Sequence, residues 1–327
     1  MRLQQDRTVQ IGVFTSVLRA WDFEHVLDFV AALGVQAVEI GVGAYASDSH
    51  CPVDELLQSA RKTKAFLESI HSRRLRISAL SCHGNPLHPN RKIADAHDLA
   101  FRKAVRLARK LQVDVLNTFS GCPGDHSQAK QPNWVTCAWP AEYREVLLWQ
   151  WEKVAVPYWK RAAAFASRHG LRKIAIEMHP GFLVYNPETL LKLRKAIGPE
   201  IGTNFDPSHL FWQGIDPCAA IRAMPDAIYH VHLKDTAIHH WNSSVNGVLD
   251  SKPYHDERHR SWIFRTIGYG NPRSFWCDFV SALRMAGYDG ALSIEHEDPL
   301  LAPTEGLEKG IRFLHSILFS EPKEGDT

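Results

Sequence analysis

The sequence feature that most constrains the fold is a repeated alternation of short apolar runs with longer amphipathic segments. Short apolar runs of this kind predict β-strands, and apolar residues recurring every three to four positions predict helices. The predicted strands cover residues 9–14, 37–42, 76–83, 114–120, 173–179, 201–206, 228–234 and 291–297. Strands that alternate with helices along a chain form parallel sheets with helical crossovers. The eight units therefore predict an α/β fold, a (β/α)8 TIM barrel.

The competing architecture is an open, doubly wound sheet. That fold would place a GxGxxG motif after its first strand to bind a dinucleotide, and the sequence has no such motif there. Neither a linker nor a shift in composition divides the chain, so we expect one domain over residues 1–327. Long connections follow the fourth and seventh predicted strands, at residues 121–140 and 236–272. In a TIM barrel both leave from the C-terminal face, and loops this long are commonly functional.

Charge and cysteine usage narrow the class of partner. The 38 basic and 36 acidic residues leave a net charge of +2, which argues against nucleic acid or an anionic membrane as partner. The N-terminus lacks the apolar core of a signal peptide, and no apolar run is long enough to span a membrane. The six cysteines are scattered and form no CxxC pair, which is typical of reduced thiols. We therefore expect a cytoplasmic protein.

Side-chain alternation predicts a polar interior for the C-terminal half of the barrel. Successive residues of a strand point to opposite faces. In each of the last four predicted strands one face is apolar, and we expect it to pack under the helices. The other face, which would point into the barrel, carries Glu177, His179, Asn204, Asp206, His230, His232, Lys234, Glu295 and Glu297. Buried carboxylates and imidazoles without partners are costly, so a common partner must satisfy them.

A divalent metal ion is the simplest common partner. Glu177, Asp206, His232 and Glu295 offer three carboxylates and one imidazole from four successive strands. This mixed oxygen and nitrogen set suits Mn²⁺, Mg²⁺, Co²⁺ or Zn²⁺ and differs from a thiolate zinc site. Each residue alone has an ordinary alternative as an ion-pair partner or a hydrogen-bonded core residue. Their joint occurrence near the ends of four strands predicts one metal site.

The stretch NFDPSH, residues 204–209, places a second polar group beside this site. Pro207 has no backbone N–H and biases the residue before it toward an extended conformation, so the sixth strand is expected to end here. The short turn that follows would bring His209 back over Asp206.

Four motifs carry a resemblance to a known family. IAIEMHP, NFDPSH, HVHLKD and LSIEHED occur in this order and resemble the xylose isomerase-like TIM barrel superfamily, which includes the sugar phosphate isomerase/epimerase family. The resemblance extends over residues 9–318. It implies that Glu177, Asp206, His232 and Glu295 bind the metal, for which Mn²⁺ is the expected ion. It also implies that the two glutamates act as acid and base.

Other residues are weaker candidates for the same site. His209 matches a family histidine that contacts the substrate or the metal, and His179 is a candidate for a further base. The candidates for substrate binding, each with core packing or a polar network as the alternative, are Phe14, Glu39, His83, Asn117, Trp212 and Lys234. Four histidines of the second long connection, at positions 239, 240, 255 and 259, receive no assigned role.

The predicted reaction is proton transfer next to a carbonyl. A metal that bridges a carbonyl and a neighbouring hydroxyl stabilises an enediolate, while one carboxylate removes a proton and a second returns it. We therefore expect an isomerase or epimerase acting on a small-molecule carbohydrate or keto-sugar, in a homo-oligomer. An arginine that follows the HxH motif in the free-ketose epimerase branch is replaced here by Ile238, which argues against a simple ketohexose 3-epimerase.

Four alternatives remain. The same site would serve a lyase that cleaves 3-oxo-glycosides, because the chain also resembles the large subunits of C-glycoside deglycosidases, which would add a small partner subunit. It would equally serve an inosose-type dehydratase. AP endonucleases share the barrel and the Asp-x-x-His spacing, but they need a basic DNA-binding face that the near-neutral charge does not favour. A non-catalytic binding barrel would leave the ligand set unexplained.

Overall fold

The structure, a computed structural model, describes residues 9–319 as a closed parallel barrel surrounded by helices. The strands are β1 (Gln10–Phe14), β2 (Ala37–Gly41), β3 (Arg76–Ser81), β4 (Val115–Phe119), β5 (Lys173–Glu177), β6 (Ile201–Phe205), β7 (Ile228–Leu233), β8 (Asp235–Ile238), β9 (Trp262–Arg265) and β10 (Ala291–Ile294). Around the barrel they follow the order β1-β10-β7-β6-β5-β4-β3-β2. Strand β1 closes the barrel, because Gly12 pairs with Ala37 on one side and with Ser293 on the other. The predicted (β/α)8 TIM barrel is confirmed.

All eight predicted barrel strands are present, but most end earlier than predicted. The sixth ends at Phe205 instead of Asp206, the seventh at Leu233 instead of Lys234, and the last at Ile294 instead of Glu297. Asp206, Lys234 and Glu297 continue the alternation of inward-facing and outward-facing side chains, although backbone pairing between the strands has already ended. The early ends place these polar side chains in the first residues of the loops at the barrel mouth.

Helices cover the outside of the barrel. They are α1 (Phe23–Ala32), α2 (Val53–Gln58), α3 (Ala60–Ser72), α4 (Arg91–Leu111), α5 (Ala141–Trp149), α6 (Val156–Arg168), α7 (Pro187–Ile197), α8 (Ser208–Phe211), α9 (Pro217–Ala223), α10 (His240–Asn246), α11 (Arg273–Met285) and α12 (Pro303–His315). Asp22 caps α1 by accepting a hydrogen bond from the His25 N–H at 2.9 Å. None of the helices between residues 9 and 319 is long and apolar enough to cross a membrane.

Two predicted helices are interrupted. The pattern over residues 53–72 predicts one helix, but Ser59 is extended and its hydroxyl caps the new helix α3 through the Lys62 N–H. The pattern over residues 141–170 is interrupted by a π-helical segment, Gln150–Ala155. This segment ends just before Pro157, which lacks the N–H that a continuous α-helix would use there.

The core divides into an apolar shell and a polar barrel interior, as alternation predicted. Ile174, Ile176 and Phe205 are buried on the outer side of their strands, within the main hydrophobic core between sheet and helices. Glu177 and Asn204, on the alternate positions, are buried and hydrogen-bonded to each other at 2.8 Å. The fold therefore collects the polar side chains of several strands in one interior space.

The connection after β7 has its own secondary structure. Strands β8 and β9 pair in an antiparallel fashion, with Asp235 opposite Arg265, and α10 lies between them in the chain. The Asp235 carboxylate accepts hydrogen bonds from the N–H groups of Gly268, Gly270 and Asn271 at 2.9 to 3.0 Å. It thereby ties the far end of this insertion to the barrel beside β7.

Candidate metal centre

Four strands bring the predicted metal ligands together at the C-terminal end of the barrel. Glu177 is the last residue of β5, Asp206 follows β6, His232 lies in β7 and Glu295 follows β10. Their side chains are 4%, 0%, 0% and 17% exposed, respectively. Pro207 turns the chain directly after Asp206, and the Asp206 Oδ1 accepts a hydrogen bond from the Ser208 N–H at 2.8 Å.

The distances between these groups are short enough for one ion to reach several of them. His232 Nδ1 lies 3.4 Å from Glu177 Oε2 and 3.2 Å from Glu295 Oε2. Asp206, His232 and Glu295 offer ligand atoms that all lie within 4.8 Å of one another. Asp206 also forms such a group with Glu177 and His209. Asp206 is thus shared by two overlapping sets of potential ligands.

Two buried atoms at the centre of this cluster have unmet hydrogen-bonding capacity. Within residues 9–319, neither Asp206 Oδ2 nor His209 Nε2 has a hydrogen-bond partner, although the two atoms are 3.3 Å apart. Buried polar atoms without partners are rare because their desolvation is not compensated. The Lys234 ammonium, 3.3 Å from Asp206 Oδ2, offsets part of the carboxylate charge without a hydrogen bond. A divalent cation between Asp206 and His209 would give both atoms a partner, and the oxygen-rich donor set is one that hard divalent ions prefer. The residues present therefore fit a divalent metal.

A buried lysine lies against two of the predicted ligands. Lys234 Nζ lies 2.8 Å from Glu295 Oε2, 2.8 Å from Glu297 Oε2 and 3.3 Å from Asp206 Oδ2. Burial by itself would lower the pKa of Lys234, but the negative charges of Glu295 and Glu297 raise it well above the usual value. Lys234 is therefore an ammonium ion inside the site.

Three histidines, His83, His209 and His232, lie within 3.4 Å of the Glu177 carboxylate. His83 Nε2 lies 3.0 Å from Glu177 Oε2, and His209 Nε2 lies 3.3 Å from Glu177 Oε1. The His179 ring packs against that of His209, with centroids 4.0 Å apart. Burial, followed by the nearby charge of His209, lowers the pKa of His179 to about 3, so this imidazole is neutral at neutral pH. Burial disfavours ionised Glu177, yet the histidines keep its pKa well below the usual range.

A second polar layer lies beneath His232. His232 Nε2 is 2.8 Å from Glu39 Oε1, and Glu39 Oε2 accepts a hydrogen bond from Ser293 Oγ at 2.6 Å. Asn117 Nδ2 donates to Glu39 Oε1 at 3.0 Å, and Ser81 Oγ donates to the same oxygen. Glu39 and Asn117 are fully buried. Both were candidates for substrate binding, and neither lines the pocket that lies above the predicted metal ligands.

This pocket, of about 160 Å³, lies above the predicted ligands. It is lined by Phe14, Tyr45, Ala46, His83, Phe119, Glu177, His179, His209, Lys234, Glu295 and Glu297. Phe14 stacks on His232, with ring centroids 5.7 Å apart and an interplanar angle of 22°. Trp212 does not line the pocket and instead stacks on Trp262 at 4.7 Å. A larger cavity of about 1290 Å³ contains none of the four predicted ligands.

Four lining residues, Tyr45, Ala46, Phe119 and Glu297, were not among the candidates from the sequence. Alternation placed Glu297 on the same inner face as Glu295, but no role was assigned to it. Phe119 ends β4, and its position at a strand terminus was the available signal. Tyr45 lies in a short 3-10 turn after β2 and has no periodic signal. The four loop histidines, at positions 239, 240, 255 and 259, do not line the pocket.

The geometry of the fold and site is that of a TIM barrel with a carboxylate and histidine cluster at its C-terminal mouth. The family described as xylose isomerase-like TIM barrel matches residues 27–317, and the chain belongs to this family. A relative from Bacillus subtilis (strain 168), called Uncharacterized protein YfiH, is 39% identical over 312 residues, which cover 95% of this chain and 99% of that protein.

Solved structures with the same fold span several named activities. The probable 3-DHS dehydratase AsbF of Bacillus anthracis has a TM-score of 0.66 and 16% identity, covering 94% of this chain and 99% of its own. A D-tagatose 3-epimerase-like protein has a TM-score of 0.63 and 20% identity, covering 94% and 98%. The IOLI protein with a binding zinc atom has a TM-score of 0.64 and 16% identity, covering 95% and 100%. At these identities the likeness is one of fold.

Proposed function

We propose that this protein is a divalent-metal-dependent enzyme that isomerises or epimerises a sugar or keto-sugar through an enediolate. The observation that carries the proposal is the convergence of Glu177, Asp206, His232 and Glu295 at the barrel mouth, where the buried Asp206 belongs to both groups of potential ligands. Membership of the xylose isomerase-like family, whose structural neighbours include an epimerase-like protein and a dehydratase, supports an enzyme of this class.

These four residues would hold the metal, with Mn²⁺ as the expected ion and Mg²⁺, Co²⁺ or Zn²⁺ as alternatives. A bound divalent ion would act as a Lewis acid toward the substrate carbonyl and so acidify the neighbouring C–H. Zinc is supported as an alternative by the zinc-containing structural neighbour.

The proton transfers fall to groups that the site keeps unprotonated, so that each can accept the proton from carbon and then return it. Glu177 is held ionised by its histidine neighbours, and this form is able to accept the proton from carbon. Glu295, held ionised by Lys234 and His232, lies on the other side of His232 from Glu39 and is the second acid/base candidate. His179 is neutral and beside His209, so it is a further candidate to accept a proton.

The remaining lining residues would bind and orient the carbohydrate. Lys234 is positioned to hold a developing negative charge on oxygen, because its ammonium group faces the pocket. Phe14, Tyr45 and Phe119 supply apolar rings against which the C–H face of a sugar ring can pack. His83 and His209 contact Glu177 and also line the pocket, where they can hydrogen-bond hydroxyl groups.

Elimination is the second candidate, because the site has a cation beside the predicted acid/base groups. A lyase acting on 3-oxo-glycosides or an inosose-type dehydratase needs the same proton removal and then a proton for the departing oxygen. The Lys234 ammonium, 2.8 Å from both Glu295 and Glu297, would stabilise negative charge on that oxygen, and the carboxylic acid formed by the first proton transfer would supply the proton. Of the two glutamates, Glu297 is the more exposed, with its side chain 50% accessible.

One experiment separates the two candidates. The protein with one equivalent of Mn²⁺ is incubated in D2O with sugars, keto-sugars and 3-oxo-glycosides, and the products are analysed by mass spectrometry. Isomerisation or epimerisation leaves the composition unchanged and introduces deuterium at carbon, whereas elimination removes water or an aglycone. A protein that binds no stoichiometric divalent metal and turns over no member of the panel would contradict the proposal.

A further inference from the structure

Glu39 is a buried carboxylate that faces a predicted metal ligand from below. It lies in β2 and is completely inaccessible to solvent. Its two oxygens lie 2.8 and 2.9 Å from His232 Nε2. The other ring nitrogen, His232 Nδ1, points away from Glu39 toward Glu177 and Glu295. His232 therefore joins two layers of the barrel, one made of Glu39 and one made of predicted metal ligands.

We propose that Glu39 is a positioning residue that holds the proton of His232 on Nε2, so that Nδ1 is the atom presented to the metal. This inference rests on the proposed function, because it concerns how one of its ligands is oriented. A carboxylate that accepts the second N–H of a metal-bound histidine fixes the tautomer and ring orientation and raises the basicity of the ligand nitrogen.

Neighbouring residues hold the Glu39 carboxylate in place. Ser81 and Asn117 donate hydrogen bonds to Oε1, and Ser293 donates to Oε2. With His232, these groups occupy the acceptor positions that a carboxylate offers. The distances among Glu39, His230 and His232 would also allow them to hold an ion. The Glu39 carboxylate, however, already has four hydrogen-bond partners, namely Ser81, Asn117, His232 and Ser293. The arrangement therefore favours orientation of His232 over a separate ion at Glu39.

The histidine ring is also fixed from the side. Phe14 stacks on the His232 imidazole, with centroids 5.7 Å apart and planes 22° from parallel. A ring flip would require this stack to open and would replace the Nε2 contact to Glu39. Glu39 below and Phe14 beside the ring thus restrict His232 to one orientation.

The first arm of the test measures metal affinity. The Glu39→Gln variant keeps the side-chain length but loses the negative charge, so we expect its Kd for Mn²⁺, measured by competition with a chelating dye, to rise about 10- to 100-fold. The control is Asp235→Asn, another buried carboxylate that ties a loop to the barrel and contacts none of the four ligands. We expect the control to bind Mn²⁺ as the unaltered protein does. A Kd within twofold of that of the unaltered protein for folded Glu39→Gln would overturn the inference.

The second arm needs no change at Glu39 and remains informative if Glu39→Gln does not fold. In protein labelled with ¹⁵N-histidine and loaded with Zn²⁺, we expect His232 to carry its proton on Nε2, with the signal assigned by comparison with His232→Gln. A proton on Nδ1 would refute the inference even when metal binds. If the unaltered protein binds no Mn²⁺ or Zn²⁺, the proposed function fails as well, and that result is distinct from unchanged affinity in Glu39→Gln.

Discussion

Lys234 Nζ and Glu295 Oε2 lie 2.8 Å apart inside the barrel mouth, which places a fixed positive charge against a predicted metal ligand. The lysine side chain is only 2% exposed, and Glu297 and Asp206 complete its carboxylate surroundings. The protein therefore already neutralises part of the negative charge that a metal would neutralise. The Lys234 ammonium and a bound metal ion would share the same carboxylates, so loss of one cation should make the protein depend more on the other.

Replacing Lys234 by Met should destabilise the metal-free protein and make its stability depend more strongly on metal. The free energy of unfolding in EDTA should fall by about 3 kcal/mol, because removing one partner leaves buried carboxylates uncompensated. Added Mn²⁺ should restore part of this loss. Urea denaturation with EDTA and with Mn²⁺ measures both effects. The control, Lys309→Met, breaks an exposed pair with Glu305 and should cost much less stability than Lys234→Met, because solvent screens exposed ion pairs. Equal losses in the two variants would contradict the prediction.

Asp206→Asn should abolish stoichiometric metal binding, because Asp206 is shared by both potential ligand groups. An amide is a weaker ligand than a carboxylate and carries no charge. We expect the metal content, measured by elemental analysis after dialysis against Mn²⁺, to fall from about one ion per chain to well below that. Activity on any substrate found in the screen should fall at least about 100-fold. Glu305→Gln, a change of an exposed glutamate, is the matched control, and metal content equal to that of the control would refute the prediction.

Asp235→Asn should lower stability while leaving the metal site intact. The Asp235 Oδ2 accepts hydrogen bonds from three backbone N–H groups. An asparagine NH2 group in that position is itself a donor, so these three N–H groups would lose their acceptor. We expect the free energy of unfolding to fall by about 2 to 3 kcal/mol, since unpaired buried donors carry their full desolvation cost. Urea denaturation measures this loss. The exposed Asp289 is the control, and Asp289→Asn should change stability by less than about 0.5 kcal/mol. Indistinguishable midpoints for the two variants would argue against the anchoring role.

Stability should fall in acid partly because of Asp250, in the insertion between β8 and β9. Burial would raise the pKa of Asp250, but hydrogen bonds from the N–H groups of Lys252 and Ser261, and the charge of Lys252, lower it from 3.8 to about 2. A lowered folded-state pKa contributes stability above pH 3.8, and this contribution is lost as the pH falls toward 2. The loss should reach about 1 kcal/mol between pH 7 and pH 3.

The Asp250→Asn variant isolates this contribution. At pH 7 its free energy of unfolding should be lower than that of the unaltered protein. At pH 3 this difference between the two proteins should be about 1 kcal/mol smaller, as measured by urea denaturation at both pH values. The exposed Asp289→Asn variant should show no such narrowing. A difference that stays constant, or widens, toward acid would contradict the assigned role of Asp250.

Local patterns predicted the architecture and the inward direction of the four candidate ligands. Alternation follows from backbone geometry alone, so it placed Glu177, Asp206, His232 and Glu295 on interior faces, and Pro207 marked the end of the sixth strand. The structure brings these side chains together, while their roles as ligands remain predictions. Alternation extended the strands too far because it describes side-chain direction and cannot detect where backbone pairing stops.

Sequence patterns did not predict contacts between strands that are far apart along the chain. Glu39 and His232 are 193 positions apart, and their hydrogen bond depends on the register of β2 and β7 across the closed barrel. The same holds for the exclusion of Trp212 from the pocket, because its stacking partner Trp262 belongs to the β8–β9 pair.

The sequence by itself determined that this protein is a parallel barrel with carboxylates and imidazoles on the inner faces of its last four strands, because periodicity along one strand is a local property. Only the tertiary structure decided which of these groups touch. Barrel closure sets the relative height of every strand, and that height places Glu39 beneath His232 and Lys234 beside Glu295.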